Sequence, residues 1–154
     1  MEINNEQQWQ AAEIELSYKS KVKPSLRPKI TTSKDAYDIL RVSWNHSTIE
    51  LFEEFKVLMT NRANKVLAVY ALSKGGMAGT VADPKLIFVA ALKLGASGII
   101  LAHNHPSGNL RPSQQDIDLT KRVKEAGRFL EIPLLDHVIL TSEGYFSFAD
   151  EGLI

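Results

Sequence analysis

The chain of 154 residues has the length of one domain, and its content of 44% hydrophobic and 23% charged residues is typical of a globular protein. Its 18 basic and 18 acidic residues leave no net charge, which excludes a molecule drawn as a whole to nucleic acid or to a membrane surface. The chain has no cysteine, which excludes disulfides, zinc sites built on thiolates and a cysteine nucleophile.

Apolar patterns along the chain predict strands alternating with helices. In chain order, the predicted elements are an edge strand in 12–22, a helix in 33–44, a hairpin in 54–76, a helix in 84–96, a buried strand in 97–103, a helix in 113–127, and strands in 134–142 and 145–150. We expect Asp83 to cap the second helix, and Gly95 and Gly127 to end the second and third helices. The order β-α-β-β-α-β-α-β-β predicts an α/β fold, with a mixed β-sheet flanked by helices.

Residues 1–32 and 33–154 differ in character, and we expect an N-terminal extended arm with an edge strand followed by one domain. The exposed edge of that strand could pair with a second copy of the chain, so a homo-oligomer is one expectation. Six cations occupy residues 19–34 without an intervening acid, and such an arm could meet phosphates, although a solvated connector is the simpler interpretation. No apolar run approaches the roughly 20 residues of a membrane span. We therefore expect no membrane partner and a cytoplasmic location.

The stretch "LAHNHPSGNLRPSQQD", residues 101–116, gathers side chains that suit a metal ion. His103 and His105 follow the predicted buried strand, and residues two apart in an extended chain point the same way. A helix that folds back over the strand end could deliver Asp116 as a third ligand. Two imidazoles and one carboxylate would leave a position for water, as in catalytic zinc sites.

Each part of this stretch also has a simpler explanation. "PSG" can be only a turn, and "SQQD" has the spacing of a capping box, in which Ser113 and Asp116 bond to each other's backbone. The two interpretations are compatible, because Ser113 could cap the helix and face the site.

The spacing His-x-His, seven residues, Ser, two residues, Asp resembles the motif of JAMM (MPN-plus) metalloproteases. The forms "HNHPSG", "LLDHVI" and "YFSFADEG" resemble the RadC-like branch in particular, over about residues 33–154. The resemblance implies an architecture similar to that of cytidine deaminases. It also implies a Zn²⁺-dependent hydrolase that cleaves a peptide or isopeptide bond in a peptide or protein substrate. Asn104 stands where the wider superfamily has Ser or Thr, which weakens the analogy to deubiquitinases.

By this resemblance, His103, His105 and Asp116 hold zinc, and Ser113 stabilises the developing oxyanion. The family places its acid-base glutamate just before an apolar strand, which favours Glu54, with Glu53 as the second choice. Hydrogen bonds should fix the histidine tautomers. For this role the sequence offers two candidates, Asn104 and His137.

A second function from a different class also fits the resemblance. RadC-like proteins are associated with DNA repair, and the chain could be an accessory protein that binds nucleic acid and carries a structural or vestigial metal site. The basic arm supports this alternative. The absence of cysteine excludes a zinc nucleobase deaminase, and a His-Glu-x-x-His helix is absent.

Overall fold

A computed structural model describes residues 12–76, except residue 16, and residues 80–154. A short 3₁₀ turn, Pro24–Leu26, precedes three helices and five strands. In chain order these are α1 (Ser33–Ser43), β1 (Glu54–Thr60), β2 (Val66–Lys74), α2 (Pro84–Leu94), β3 (Gly98–Asn104), α3 (Gln114–Phe129), β4 (Leu134–Leu140) and β5 (Tyr145–Ser147). None of the helices in the described part of the chain is long and apolar enough to cross a membrane.

The five strands form one sheet in the order β2-β1-β3-β4-β5. The pairing of β3 with β4 is parallel, and the other three pairings are antiparallel. The connection from β3 through α3 to β4 is the crossover that a parallel pair requires. The prediction of an α/β fold with a mixed sheet flanked by helices is confirmed.

The sheet is covered on both faces, and the pleat decides which residues reach which side. Val57 and Leu101 pair across β1 and β3 and belong to the core under α2 and α3, which we call the α2/α3 face. Leu58 and Ile100, one residue along, pack against α1 on the opposite side, which we call the α1 face. Since successive side chains of a strand point to opposite faces, odd positions of β1 lie on the α2/α3 face.

Local signals explain the ends of α2. Asp83 caps the helix by accepting from the Lys85 amide, and Pro84 occupies the first turn, where it has no helical hydrogen bond to lose. Gly95 closes the helix in the left-handed conformation, with φ of 68°. These two predictions are confirmed.

Gly127 does not end α3, and that prediction is wrong. The helix continues to Phe129, and a Cβ added at Gly127 would lie 2.4 Å from the backbone oxygen of Ile132. Glycine is required here by the close approach of the chain after α3, not by a helix stop.

The edge strand predicted in residues 12–22 is also wrong, because no described residue of that stretch belongs to a strand. The apolar residues that alternate with polar ones in this stretch do not pack on the domain at Ile14, which is 87% exposed. Tyr18 donates its hydroxyl to Leu67 O, but backbone pairing with the domain begins later, where Ile30 donates its amide to Asn64 O and Pro28 O accepts from Val66. The part of the predicted arm in residues 1–11 lies outside the described residues.

Candidate metal centre

Two histidines meet at the carboxyl end of β3, on the α2/α3 face. His103 lies in the strand and is 1% exposed, and His105 is the first residue after the strand. Their side chains point the same way, as positions two apart in an extended chain should. The two Nε2 atoms lie 3.0 Å apart.

Asp116 approaches both rings from the first turn of α3. Its Oδ1 lies 3.2 Å from His103 Nε2, and its Oδ2 lies 3.5 Å from His105 Nε2. Burial acts to raise the pKa of Asp116, but hydrogen bonds from His103 and His105 hold that pKa well below its usual range.

The same carboxylate completes a capping box. Ser113 donates its amide to Asp116 Oδ2 at 2.7 Å, and Ser113 Oγ accepts from the Asp116 amide at 3.1 Å. The two explanations of "SQQD" therefore hold together: the cap fixes the rotamer of Asp116, and this rotamer aims the carboxylate at the histidines.

The orientation of His105 is set by the turn that follows β3. Its Nδ1 donates to Asn109 O at 2.6 Å, and its backbone amide donates to Leu140 O on β4. A neutral ring that donates through Nδ1 keeps a lone pair on Nε2, the atom that faces Asp116, whereas the protonated ring donates from Nε2 to that carboxylate. The hydrogen bond with Asp116 raises the pKa of His105.

The glutamate beside the histidines is Glu53, and the placement of Glu54 there was wrong. Glu53 Oε1 lies 4.0 Å from His103 Nε2, whereas Glu54 makes ion pairs with Lys56 at 3.7 Å and Lys74 at 3.6 Å. The pleat of the strand causes this difference, since Glu53 and Glu54 are adjacent and point to opposite faces. Burial raises the pKa of the Glu53 carboxyl.

The strand register, rather than the sequence alone, identifies Glu53. Phe55 pairs with His103 across β1 and β3, and their rings stack at 5.7 Å with an angle of 3°. Glu53 is two residues from Phe55 and shares its side of the chain, so the alternation in "EEF-x-V" favours the first glutamate once that register is known.

Asn104 does not orient a histidine, and that expectation was wrong. Its Nδ2 donates to Ile49 O at 2.7 Å and to Phe52 O at 2.8 Å, and its Oδ1 accepts from the Glu54 amide at 2.7 Å. Asn104 lies between the two histidines in sequence and so points to the α1 face. There it holds the segment that carries Glu53 into the site.

His137 lies behind His103 on the neighbouring strand β4 and is fully buried. Its Nε2 is 2.8 Å from His103 Nδ1, on the side of that ring away from Asp116. Complete burial lowers the pKa of His137 well below the usual histidine range. On its other side, Nδ1 lies 2.7 Å from Thr120 Oγ1. Thr120 had not been identified as a site residue, because only the packing of α3 on β4 brings it here.

An open cleft of about 500 Å³ leads to these residues. Ser113 and Asp116 line this cleft together with residues 80–82. Residues 77–79 lie outside the described residues, and Thr80, which follows them, lines the cleft.

These groups fit a metal ion of the zinc type. Glu53, His103 and His105 each offer a ligand atom within 4.8 Å of the others. Tetrahedral zinc with bonds of about 2.0–2.1 Å separates its ligand atoms by roughly 3.3 Å. The distances among His103, His105 and Asp116, from 3.0 to 3.5 Å, bracket that value. Two imidazoles favour zinc over magnesium or calcium, which prefer oxygen ligands.

Comparison with known proteins shows the family of this chain. Residues 30–153 match the family model described as RadC-like JAB domain. A UPF0758 protein of Flavobacterium johnsoniae is 46% identical over 143 residues, which are 92% of this chain and 61% of that protein. A UPF0758 protein of Symbiobacterium thermophilum is 33% identical over 143 residues, covering 93% of this chain and 60% of the relative.

The chain thus spans about three fifths of the length of these relatives. A third relative, the UPF0758 protein of Porphyromonas gingivalis, is 52% identical over 103 residues, 66% of this chain and 45% of its own length. Residues 30–153, which match the family model, contain every residue of the site described above. The chain belongs to the RadC-like JAB domain family, within the JAB/MPN superfamily.

Proposed function

We infer that this chain is a zinc-dependent hydrolase that cleaves a peptide or isopeptide bond with an activated water molecule. The observation that carries this proposal is the convergence of two imidazole nitrogens and two carboxylates at an open cleft. Membership of a superfamily that includes metalloproteases supports the reaction class.

His103, His105 and Asp116 are the residues that would hold zinc. Zinc bound there would act as a Lewis acid and lower the pKa of a water molecule from its bulk value to roughly 7. The three protein groups leave one side of the cluster open toward Glu53, whose distance to His103 is longer than that of Asp116.

Glu53 is the general base in this proposal. Its carboxylate would take a proton from the attacking water and then pass that proton to the departing amine nitrogen. Partial burial keeps its pKa raised, which brings the carboxyl closer to the neutral range in which one group can both accept and donate a proton.

Ser113 stabilises the negative charge that develops on the carbonyl oxygen of the scissile bond. Its Oγ accepts from the Asp116 amide, and this bond uses a lone pair of the oxygen. The hydroxyl proton is left to donate toward the cleft that Ser113 lines.

The test is a panel of peptides and isopeptide-linked conjugates incubated with the protein loaded with zinc. We expect cleavage of at least one linkage class, loss of cleavage with a chelator, and recovery on adding zinc. Cleavage that persists in the metal-free protein contradicts the proposal, as does a zinc-loaded protein that hydrolyses none of the panel.

Nucleic-acid binding is the second candidate function. Lys19, Lys21 and Lys23 are exposed, whereas Lys34 is engaged with Asp38 at 2.5 Å. The free basic surface of the arm is therefore smaller than the sequence suggested. Binding to DNA is to be measured as salt is raised, with the full chain and without residues 1–32. Salt-sensitive binding that needs the arm supports this function, and its absence removes it.

A further inference from the structure

A chain of buried hydrogen bonds, which we call the relay, runs from α3 through Thr120 and His137 to the back of His103. Thr120 Oγ1 lies 2.6 Å from the backbone oxygen of Asp116 and 2.7 Å from His137 Nδ1. His137 Nε2 lies 2.8 Å from His103 Nδ1. The side chains of these three linked residues are 1% exposed or less.

The direction of the first bonds follows from the chemistry of the groups. A carbonyl oxygen only accepts, so the Thr120 hydroxyl proton is committed to Asp116 O. The Thr120 oxygen can then only accept from the ring beside it. His137 therefore carries its proton on Nδ1.

The direction of the last bond follows from burial. Both nitrogens of the His137 ring are taken by Thr120 and His103, so no carboxylate of the described residues hydrogen-bonds to the ring to neutralise a positive charge on it. A buried, unpaired cation is strongly disfavoured. The neutral ring with its proton on Nδ1 presents a lone pair at Nε2, and His103 must donate to it through Nδ1.

This orientation has a consequence at the front of His103. A ring that donates through Nδ1 has a bare lone pair on Nε2, and His105 has the same tautomer because its Nδ1 donates to Asn109 O. When both rings are neutral, two bare nitrogens 3.0 Å apart and the Asp116 carboxylate face one another with no proton between them. Such a set of acceptors is stabilised by taking up a positive charge, either as a proton on one of the rings or as a metal ion bound between them.

We propose that Thr120 and His137 are positioning residues that hold His103 in the tautomer able to bind metal. Thr120 also bonds to the carbonyl of Asp116, so one hydroxyl ties the helix that delivers the carboxylate to the ring that it must meet. This inference rests on the metal centre of the proposed function and not on the hydrolysis.

The sharpest substitution is Thr120→Val, which keeps the shape of the side chain and removes the hydroxyl. The Nδ1 proton of His137 then has no acceptor, and the tautomer with the proton on Nε2 becomes favoured. That proton points at His103 Nδ1 and drives the His103 proton to Nε2, where it blocks the metal. Thr120→Ser keeps the hydroxyl and should keep the relay.

The measurement is zinc affinity by competition with a chelator, with unfolding temperature followed in parallel. We expect Thr120→Val to weaken zinc binding about 10–100-fold and Thr120→Ser to stay within about threefold of wild type. Thr60→Val is the matched control, since Thr60 is also buried and bonds only weakly to Gly98 O at 3.4 Å, away from the site. Equal affinity of the Val and Ser variants at position 120 overturns the proposal.

NMR of labelled histidine in the metal-free protein supplies a readout that needs neither zinc nor substrate. At mildly alkaline pH we expect His103 and His137 both to carry the proton on Nδ1, and Thr120→Val to shift both to Nε2. Wild-type rings with the proton on Nε2 contradict the relay, even if the protein binds no zinc. A zinc-loaded protein that cleaves nothing, with the expected tautomers, contradicts the hydrolase and leaves the relay standing.

Discussion

Two carboxylates at the start of β1 lie on opposite faces of the sheet and have opposite electrostatic surroundings. On the α1 face, Glu54 is neutralised by Lys56 and Lys74. On the α2/α3 face, Glu53 and Asp116 have only imidazoles as ion-pair partners among the residues that the structure describes. The charge of Glu54 is therefore balanced by two lysines, whereas Glu53 and Asp116 have no permanently charged cation beside them among the described residues.

The comparison teaches that charge balance, and not residue type, separates a structural glutamate from a candidate catalytic one. The Lys56 ammonium is buried, lies 4.4 Å from the centre of the Trp44 ring and donates to Ser43 O, so it is fixed beside Glu54. Glu53 has no such lysine beside it among the described residues, and its side chain lines the cleft. A divalent cation is the group that would complete the α2/α3 face.

The largest expected effect separates the two glutamates directly. Glu53→Gln removes the proposed base and should lower kcat by about 10²–10⁴-fold, while zinc content stays at one per chain. Glu54→Gln, the matched control, should change kcat by less than about threefold, because its carboxylate only pairs with lysines. Turnover on any linkage identified by the substrate panel measures both, and equal losses from the two substitutions would contradict the assignment.

Asp116 and Asp118 offer the next comparison, within one helix. Asp116→Asn should weaken zinc binding by more than about 100-fold, beyond the range for residues that only support a ligand. It should also destabilise α3 by about 1 kcal/mol through the weakened cap. Asp118 is exposed and accepts from Gln114, so Asp118→Asn should leave zinc affinity unchanged. Chelator competition and thermal unfolding separate the two effects, and equal zinc affinity of both variants would exclude Asp116 as a ligand.

The pH dependence of zinc binding should follow the histidines. The hydrogen bond with Asp116 raises the pKa of His105, and zinc requires the neutral ring. A proton therefore competes with the metal once the pH falls below that raised pKa. Affinity should be constant at alkaline pH and fall by up to about tenfold per pH unit and displaced proton on acidification. A titration that stays flat into the acidic range would contradict histidine ligation.

The smallest effect concerns the segment that carries Glu53. Asn104→Ala removes the acceptor of the Glu54 amide and the donor to Ile49 O and Phe52 O. Leaving such buried groups unpaired should destabilise the fold by about 1–3 kcal/mol and reduce turnover with little change in zinc affinity. Asn45→Asp, at an exposed turn where either side chain can accept from the Ser47 amide, should change stability by less than about 0.5 kcal/mol. Denaturant unfolding of both variants decides whether Asn104 holds this segment.

Much of the site could be predicted because its residues lie close together in sequence. The spacing of His103, His105, Ser113 and Asp116 already indicates a strand end, a turn and a capped helix, and the structure brings these side chains together. The choice between Glu53 and Glu54 failed because it depends on the parity of β1, and the register with β3 that fixes this parity is a tertiary property.

The support behind His103 could be predicted only in part, because the sequence offered His137 as a candidate but gave no indication of Thr120. His137 meets His103 through the parallel pairing of β3 and β4, and Thr120 reaches His137 only because α3 packs on β4. Neither the contact of His137 with His103 nor that of Thr120 with His137 produces a periodic pattern in the sequence. The edge strand expected in residues 12–22 failed differently, since alternation predicts a strand only where one face is buried, and Ile14 is exposed.

X-ray absorption spectroscopy of the zinc-loaded protein tests the central claim most directly. We predict one zinc per chain with scattering from two imidazole nitrogens at about 2.0–2.1 Å and a carboxylate oxygen at about 2.0–2.2 Å. Failure to bind zinc stoichiometrically, or a bound zinc without imidazole scattering, would contradict the account.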